Sequence, residues 1–160
     1  MTASITYPMQ QAGATMVDSV VEYDKLDRAM TAIMGSAEGA REEMLKLREV
    51  ARLPGLGFKE AIHGSTQLQA VGYNADFARK MLLEFGNAIA TTGGGKYQLE
   101  LVVTQLQQMR SAGKLLMMDF RPVMQQVPIL AKVVQRAFGT MNLGALRERG
   151  VTPDVFLQKI

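Results

Sequence analysis

An all-α fold is what this chain of 160 residues predicts. Three observations carry that reading. Apolar residues recur at helical spacing in nearly every segment. Glycines, prolines and capping side chains divide those segments at short intervals. No stretch alternates apolar with polar residues over the length of a strand; Leu101-Val102-Val103 is β-rich but ends too soon.

The first element is the longest. Met9, Met16, Tyr23 and Met30 recur every seven residues, with Ala12, Leu26 and Ile33 at the intermediate position and Ser19 as the polar exception. Val20, Val21 and Met34 widen the stripe. This predicts one amphipathic helix over residues 9–34, with Pro8 near its start, where proline is tolerated, and Gly35 closing it. The stripe admits two readings. Either it packs on the domain's own core, or Met9, Met16, Tyr23, Leu26, Met30 and Ile33 form a face that binds a partner helix. Residues 1–35 are accordingly set apart as a leading helix and possible interaction segment, followed by a helical domain over 36–160.

Six or seven shorter helices should follow. Ser36 can cap a second helix over 37–53, with Ala40, Met44, Leu47 and Ala51 on one face and a favourable Glu42–Lys46 pair on the other. Pro54-Gly55 ends it. A third helix begins near Phe58 and runs to Val71, with Ile62 and Leu68 inward and Gly72 as its stop. Asn74 caps a fourth, whose apolar face is Phe77, Ala78, Met81, Leu82, Phe85, Ala88 and Ile89, before Gly93-Gly94-Gly95 breaks the chain. The fifth spans 97–112 through Leu99, Val102, Val103, Leu106 and Met109, and stops at Gly113-Lys114. Asp119 is placed as the cap of a short turn around Pro122. Pro128 starts a run ended by Gly139, Asn142 caps a short helix ended by Gly150, and Thr152-Pro153 has N-cap and first-turn chemistry for a last helix over 153–160. A faint echo also stands in the sequence: Thr66-Gln67-Leu68-Gln69 returns as Thr104-Gln105-Leu106-Gln107.

Composition narrows the function classes. With 48% apolar and 21% charged residues, the chain is that of a folded soluble domain. There is no cysteine, which removes disulfides, thiol nucleophiles and thiolate metal sites, and one histidine leaves little for zinc or general-base chemistry. Twelve methionines are present; those at 9, 16, 30, 34, 44, 81 and 109 fall on helical stripes, where they fill a core or make a pliable binding face. Residues 1–50 carry five basic and eight acidic side chains, residues 51–160 thirteen and seven. No run of five like charges exists, and aromatics are scattered, so a specific nucleic-acid stripe is not expected. The uncharged first seventeen residues lack the basic start of a signal peptide, and no segment is apolar enough for a stable membrane anchor.

Catalytic motifs fail on inspection. Gly95-Lys96 resembles the end of a phosphate-binding loop, but Ala90 stands where that motif needs glycine and Tyr97 where it needs a hydroxyl for Mg²⁺. Gln98 breaks the dinucleotide pattern. Glu60-Ala61-Ile62-His63 matches the iron-binding spacing of ferritin-like bundles once, without the second copy such a site requires. Asp24 with Asp27, and Glu42 with Glu43, read as charged helical faces. No enzyme activity, cofactor or metal is expected.

The organisational residues do resemble a family. Val21-Glu22-Tyr23 followed by Met34-Gly35-Ser36, then Leu68-Gln69-Ala70-Val71-Gly72-Tyr73, then the glycine run before Leu99 and Val102-Val103, come in the order of the N-terminal domain of bacteriophage tail tape measure proteins. The closest stretch is Gln105, Gln108, Met109, Gly113 and Lys114, followed by Asp119, Val127-Pro128, Phe138-Gly139 and Phe156-Leu157. The resemblance covers Tyr23 to Ile160. It implies a structural protein of a phage or prophage, without catalysis, that acts in tail assembly and in setting tail length. It implies a place in the host cytoplasm during assembly and in the tail lumen of the mature virion. Its implied partners are other tail proteins or assembly chaperones, with self-association possible through the first helix. Even one unbroken helix of this length would span only about 240 Å, so the expectation is one module of a longer ruler. The alternative is a helical adaptor, unrelated to phage, that docks a partner helix on the Met-rich stripe. A third reading, contact with nucleic acid through the basic C-terminal portion, ranks below both.

Overall fold

A computed structural model describes residues 6–53, 56–115 and 117–160, with side chains except those of residues 6–19, Met117 and Asp119. The described residues form nine helices and no strand: α1 Thr6–Met34, α2 Ala37–Val50, α3 Phe58–Ala70, α4 Ala75–Thr91, α5 Lys96–Ala112, α6 Met117–Gln126, α7 Ile129–Phe138, α8 Leu143–Glu148 and α9 Pro153–Lys159. The all-α expectation holds.

Four of the caps are where the sequence places them. Ser36, Asn74, Asn142 and Thr152 each accept a hydrogen bond from the backbone N–H three residues on, at 3.0, 2.8, 3.1 and 3.3 Å. Each satisfies one donor that the first helical turn leaves free. Gly113 and Gly139 end α5 and α7 at φ +61° and +71°, a conformation in which a side chain would crowd the following carbonyl. At α5 the Gly95 N–H donates to the Gln98 side chain at 2.9 Å.

Two elements differ from expectation. The second helix ends at Val50 rather than at residue 53. Its chain tightens into three-residue turns, with Arg52 N–H donating to Glu49 O and Leu53 N–H to Val50 O at 3.2 Å. The residue before a proline avoids helical backbone, and Pro54 follows Leu53. The segment around Pro122 is a ten-residue helix, not a turn, and Asp119 lies inside it rather than capping it. A proline inside a helix removes one hydrogen bond and costs about 3 kcal/mol. Here Leu115, Phe120, Val123 and Val127 are all buried, and burial of each is worth about 1.5–3 kcal/mol, so packing against α5 outweighs the proline.

The core runs through the bundle with α5 at its middle, where Leu99, Val102, Val103, Leu106 and Met109 are all buried. α5 packs on α3, α4, α6 and α9, while α1 and α2 pack on α3. The Gln107 amide donates to Gln67 O at 2.9 Å, and Val103 lies beside Gly64. Those pairings keep one order along both helices, so α3 and α5 run in the same direction. The echoed segments therefore sit side by side. Thr66 and Thr104 each donate to the carbonyl four residues back, at 2.8 and 2.9 Å, and Leu68 and Leu106 are both buried.

At the C-terminal end Phe156 is fully buried between two rings, edge-on to Phe120 at 4.9 Å and stacked on Phe138 at 5.3 Å. This joins α6, α7 and α9. A seven-residue helix such as α9 is not stable alone, so its place depends on this side chain. Phe156→Ala is expected to lower unfolding free energy by about 3–5 kcal/mol, read from urea denaturation followed by circular dichroism.

One polar pair is buried with the core. Glu43 is 2% exposed and is ion-paired with the half-buried Arg79, which also reaches Asp76. The reading of Glu43 as part of a solvated charged face is therefore corrected. It lies three residues after Ala40 and four before Leu47, on the face that α2 buries against α4. Arg79→Met should destabilise by about 3 kcal/mol or more, because it leaves a buried carboxylate without its partner, whereas Glu43→Leu combined with Arg79→Met should recover most of the loss. Chemical denaturation of the three proteins decides it.

Candidate interaction surface

The residues proposed for a partner-binding face divide along α1. Leu26 and Met30 belong to this domain's own core, at 9% and 0% exposure, and Ile33 is half-buried. Tyr23 remains 44% exposed. The side chains of Met9 and Met16 lie outside the described residues. Of the two readings of the stripe, the core reading applies to Leu26 and Met30 in this conformation.

Around Tyr23 the three first helices form an open groove. Its ring meets Phe58 at the start of α3, centroids 5.7 Å apart. The Arg48 guanidinium faces the same Phe58 ring at 5.8 Å. One residue away on each helix, Glu22 and Lys59 form an ion pair, and the hydrogen bond that the Lys59 ammonium donates to Glu22 raises its pKa. The groove has a volume of about 350 Å³ and is lined by Tyr23, Asp27, Arg41, Met44, Leu45, Arg48 and Phe58. Leu45 is 57% exposed and Val20, one turn before Tyr23, is 69% exposed. Sequence reasoning did not single out Leu45, Arg41, Arg48 or Phe58 for binding. The signal was present: Leu45 is an apolar residue on the polar side of α2, between two arginines.

Several of the family-like motif positions are architectural. Gly113 and Gly139 terminate helices, Pro128 precedes α7, and Phe138 and Phe156 are the stacked rings. Lys159 covers the outer face of Phe138 at 4.7 Å. Gln105 is half-buried, while Gln108 and Lys114 are exposed on or just after α5. Asp119's side chain is outside the described residues. The motif residues are not brought together into one site.

A second cavity, about 340 Å³, lies between α4, α7 and α9, floored by Met81, Phe85 and Leu130 with Lys80 and Lys159 at its edge. A third, about 170 Å³, is polar. There Arg110 lies over the Tyr73 ring at 5.0 Å and is ion-paired with Asp154, and Phe77 stacks on Tyr73 at 5.0 Å. This cluster ties α9 to α5 and to the turn before α4. The Tyr73 hydroxyl and Asp154 Oδ1 are buried without a hydrogen-bond partner among the described residues. Burial, reinforced by the Asp154 carboxylate, pushes the Tyr73 hydroxyl up to about 12, against the opposing pull of Arg110.

His63 is exposed on α3, its Nε2 3.4 Å from the Gln67 amide, and Gly93-Gly94-Gly95 is the α4–α5 connection. Among the described residues no three His, Asp or Glu side chains converge as metal ligands, and no helix is long and apolar enough to cross a membrane.

A family model described as tape measure protein matches residues 14–160. No curated protein and no solved structure matches the chain.

The Tyr73 environment predicts an alkaline limb. A hydroxyl raised from its ordinary value of about 10 to about 12 holds its proton in the fold longer than in the unfolded chain. Its stabilisation is therefore complete below pH 10 and is lost as pH rises toward 12. Tyr73→Phe should remove that part of the decline and leave stability at pH 7 within about 1 kcal/mol, as measured by urea denaturation at a series of pH values.

Proposed function

The chain belongs to the tape measure protein family, whose members are structural proteins of phage tails, and we propose that it serves as a folded assembly module in tail formation and tail-length determination. The observation that carries this is the extent of the match, which begins within α1 and continues through α9. A single element could match by shared helical pattern; an ordered match over the whole set of helices requires shared topology.

The module works by binding rather than by chemistry. Among the described residues Glu43 and Asp154 are ion-paired, His63 is exposed, and the two cavities of about 340 and 350 Å³ are grooves between helices. Its proposed partners are other tail proteins or assembly chaperones, with self-association through the first helix. Its proposed locations are the host cytoplasm during assembly and the tail lumen afterwards. A ruler function needs extended helix, at 1.5 Å per residue. These helices instead fold back on one another, so the module's contribution to length is proposed to be the correct engagement of the tail.

The test is an in-frame deletion of the codons for residues 58–160 in the phage or prophage genome that carries the gene. The expected result is loss of normal tails in electron micrographs, with peptides of this chain present in purified wild-type tails by mass spectrometry. Normal tails of unchanged length from the deleted genome, or tails free of the chain, would overturn the proposal.

A further inference from the structure

α7 packs on α6, and on its other side the cavity of about 340 Å³ separates it from α4 and the end of α9. Met81, Phe85 and Leu130 at its floor are all buried. Its walls are apolar too, at Ala88, Ile129 and Val133, and Ile129 is 51% exposed at the mouth. One turn of helix with its side chains is about 10 Å across and 5.4 Å long, more than this cavity holds. One large apolar side chain fits. The ionic side chains of the three surrounding helices divide unevenly. Arg79 of α4 is taken up by Glu43 and Asp76, and Asp154 of α9 by Arg110. What remains on α4, α7 and α9 is Lys80, Lys132, Arg136 and Lys159 against Glu84. All five are exposed, and none is ion-paired among the described residues. Lys80, Glu84 and Lys159 line the cavity itself. Arg136 lies seven residues after Ile129 and three after Val133, on the stripe they share, and Lys132 flanks that stripe.

We propose that this cleft receives an acidic segment of a partner protein, with one large apolar side chain of that segment seated in the cavity and its carboxylates meeting Lys80, Arg136 and Lys159. The inference rests on the reading of the chain as an assembly module that works by binding, and it adds a receiving site and the partner's chemistry. The cavity selects the anchor, and the cations at its rim select what flanks the anchor and how it is oriented. Lys159 already lies over the Phe138 ring at 4.7 Å, so part of the rim charge is held in place before a partner arrives. Glu84 is the one group that opposes an acidic segment. A two-fold contact between copies through this face would set the cation surplus against itself. A phosphate backbone would answer the cations and leave the apolar cavity unfilled. An acidic segment with an apolar anchor satisfies both.

The test is selection of binders to the full chain from a random twelve-residue peptide library displayed on yeast. Selected peptides should be enriched in Asp and Glu around a Phe, Leu or Trp. The most enriched one, synthesised with a fluorescein label, should bind in fluorescence anisotropy, and less tightly in high salt. Lys80→Glu combined with Arg136→Glu, both exposed positions, should weaken it at least ~10-fold, about 1.4 kcal/mol, with unchanged circular dichroism. Ala88→Trp, which fills the cavity, should do the same. Glu84→Gln should strengthen binding about 2- to 5-fold. Leu45→Glu, in the groove beside Tyr23, should leave it unchanged. A library that yields no binder overturns the proposal, as do selected peptides without an acidic surplus, binding indifferent to the Lys80 and Arg136 reversals, or binding lost on Leu45→Glu. A chain that dimerises in sedimentation equilibrium and becomes monomeric on Ala88→Trp gives the cleft to a second copy and overturns it too. Failure here beside tail loss in the deletion experiment discards the cleft alone. Normal tails beside intact peptide binding discard the tail role and leave the cleft standing.

Discussion

The buried stripe of α5 is the contact on which the remaining helices depend. Leu99, Val102, Val103, Leu106 and Met109 line one side of a 17-residue helix and touch material from α3, α4, α6 and α9. The other C-terminal helices have between six and ten residues. Helices that short are marginal in water and exist only where a face is buried. α6 obtains that face from α5 despite Pro122. α9 obtains it from Phe120 and Phe138 through Phe156. The order of dependence runs outward from α5, so the core can be weakened at its edge by one side chain and abolished only from its centre.

Polar groups fix how these helices are arranged. Glu43–Arg79 joins α2 to α4, Arg110–Asp154 joins α5 to α9, and Gln107 reaches the Gln67 carbonyl across the α3–α5 interface. Apolar stripes alone tolerate sliding and rotation, whereas each of these contacts has one satisfactory geometry. Their energetic contribution to stability is modest, since burying an ion pair costs nearly what the pair returns. Their effect is on uniqueness: a helix rotated by one residue would leave a buried carboxylate or amide without a partner.

The fold was legible because its determinants are local. Capping side chains and terminal glycines act within one turn, and helical stripes within one element, so Ser36, Asn74, Asn142, Thr152, Gly113 and Gly139 could be read one at a time. What escaped depended on neighbours distant in sequence. Pro122 reads as a break until the burial of Phe120 and Val123 against α5 is known. Glu43 reads as a surface charge until Arg79, thirty-six residues away, is placed beside it. The groove escaped for the same reason, since it is made by three helices and no segment contains it. The family-like positions are legible as pattern, and four of them are two helix stops and two stacked rings.

That last distinction separates the positions that hold this fold from those on its surface. Positions that end helices or fill the aromatic cluster are constrained by backbone conformation and packing density, whatever the protein touches. Leu45, Val20 and the two arginines are under no such demand. Replacing them with ordinary helix-forming polar residues would cost the fold little, because solvated helical positions contribute only tenths of a kcal/mol through propensity. An exposed leucine between two exposed arginines is thus a feature for which internal packing supplies no cause. Leu45, Val20, Arg41 and Arg48 are therefore the residues of this corner that the fold needs least.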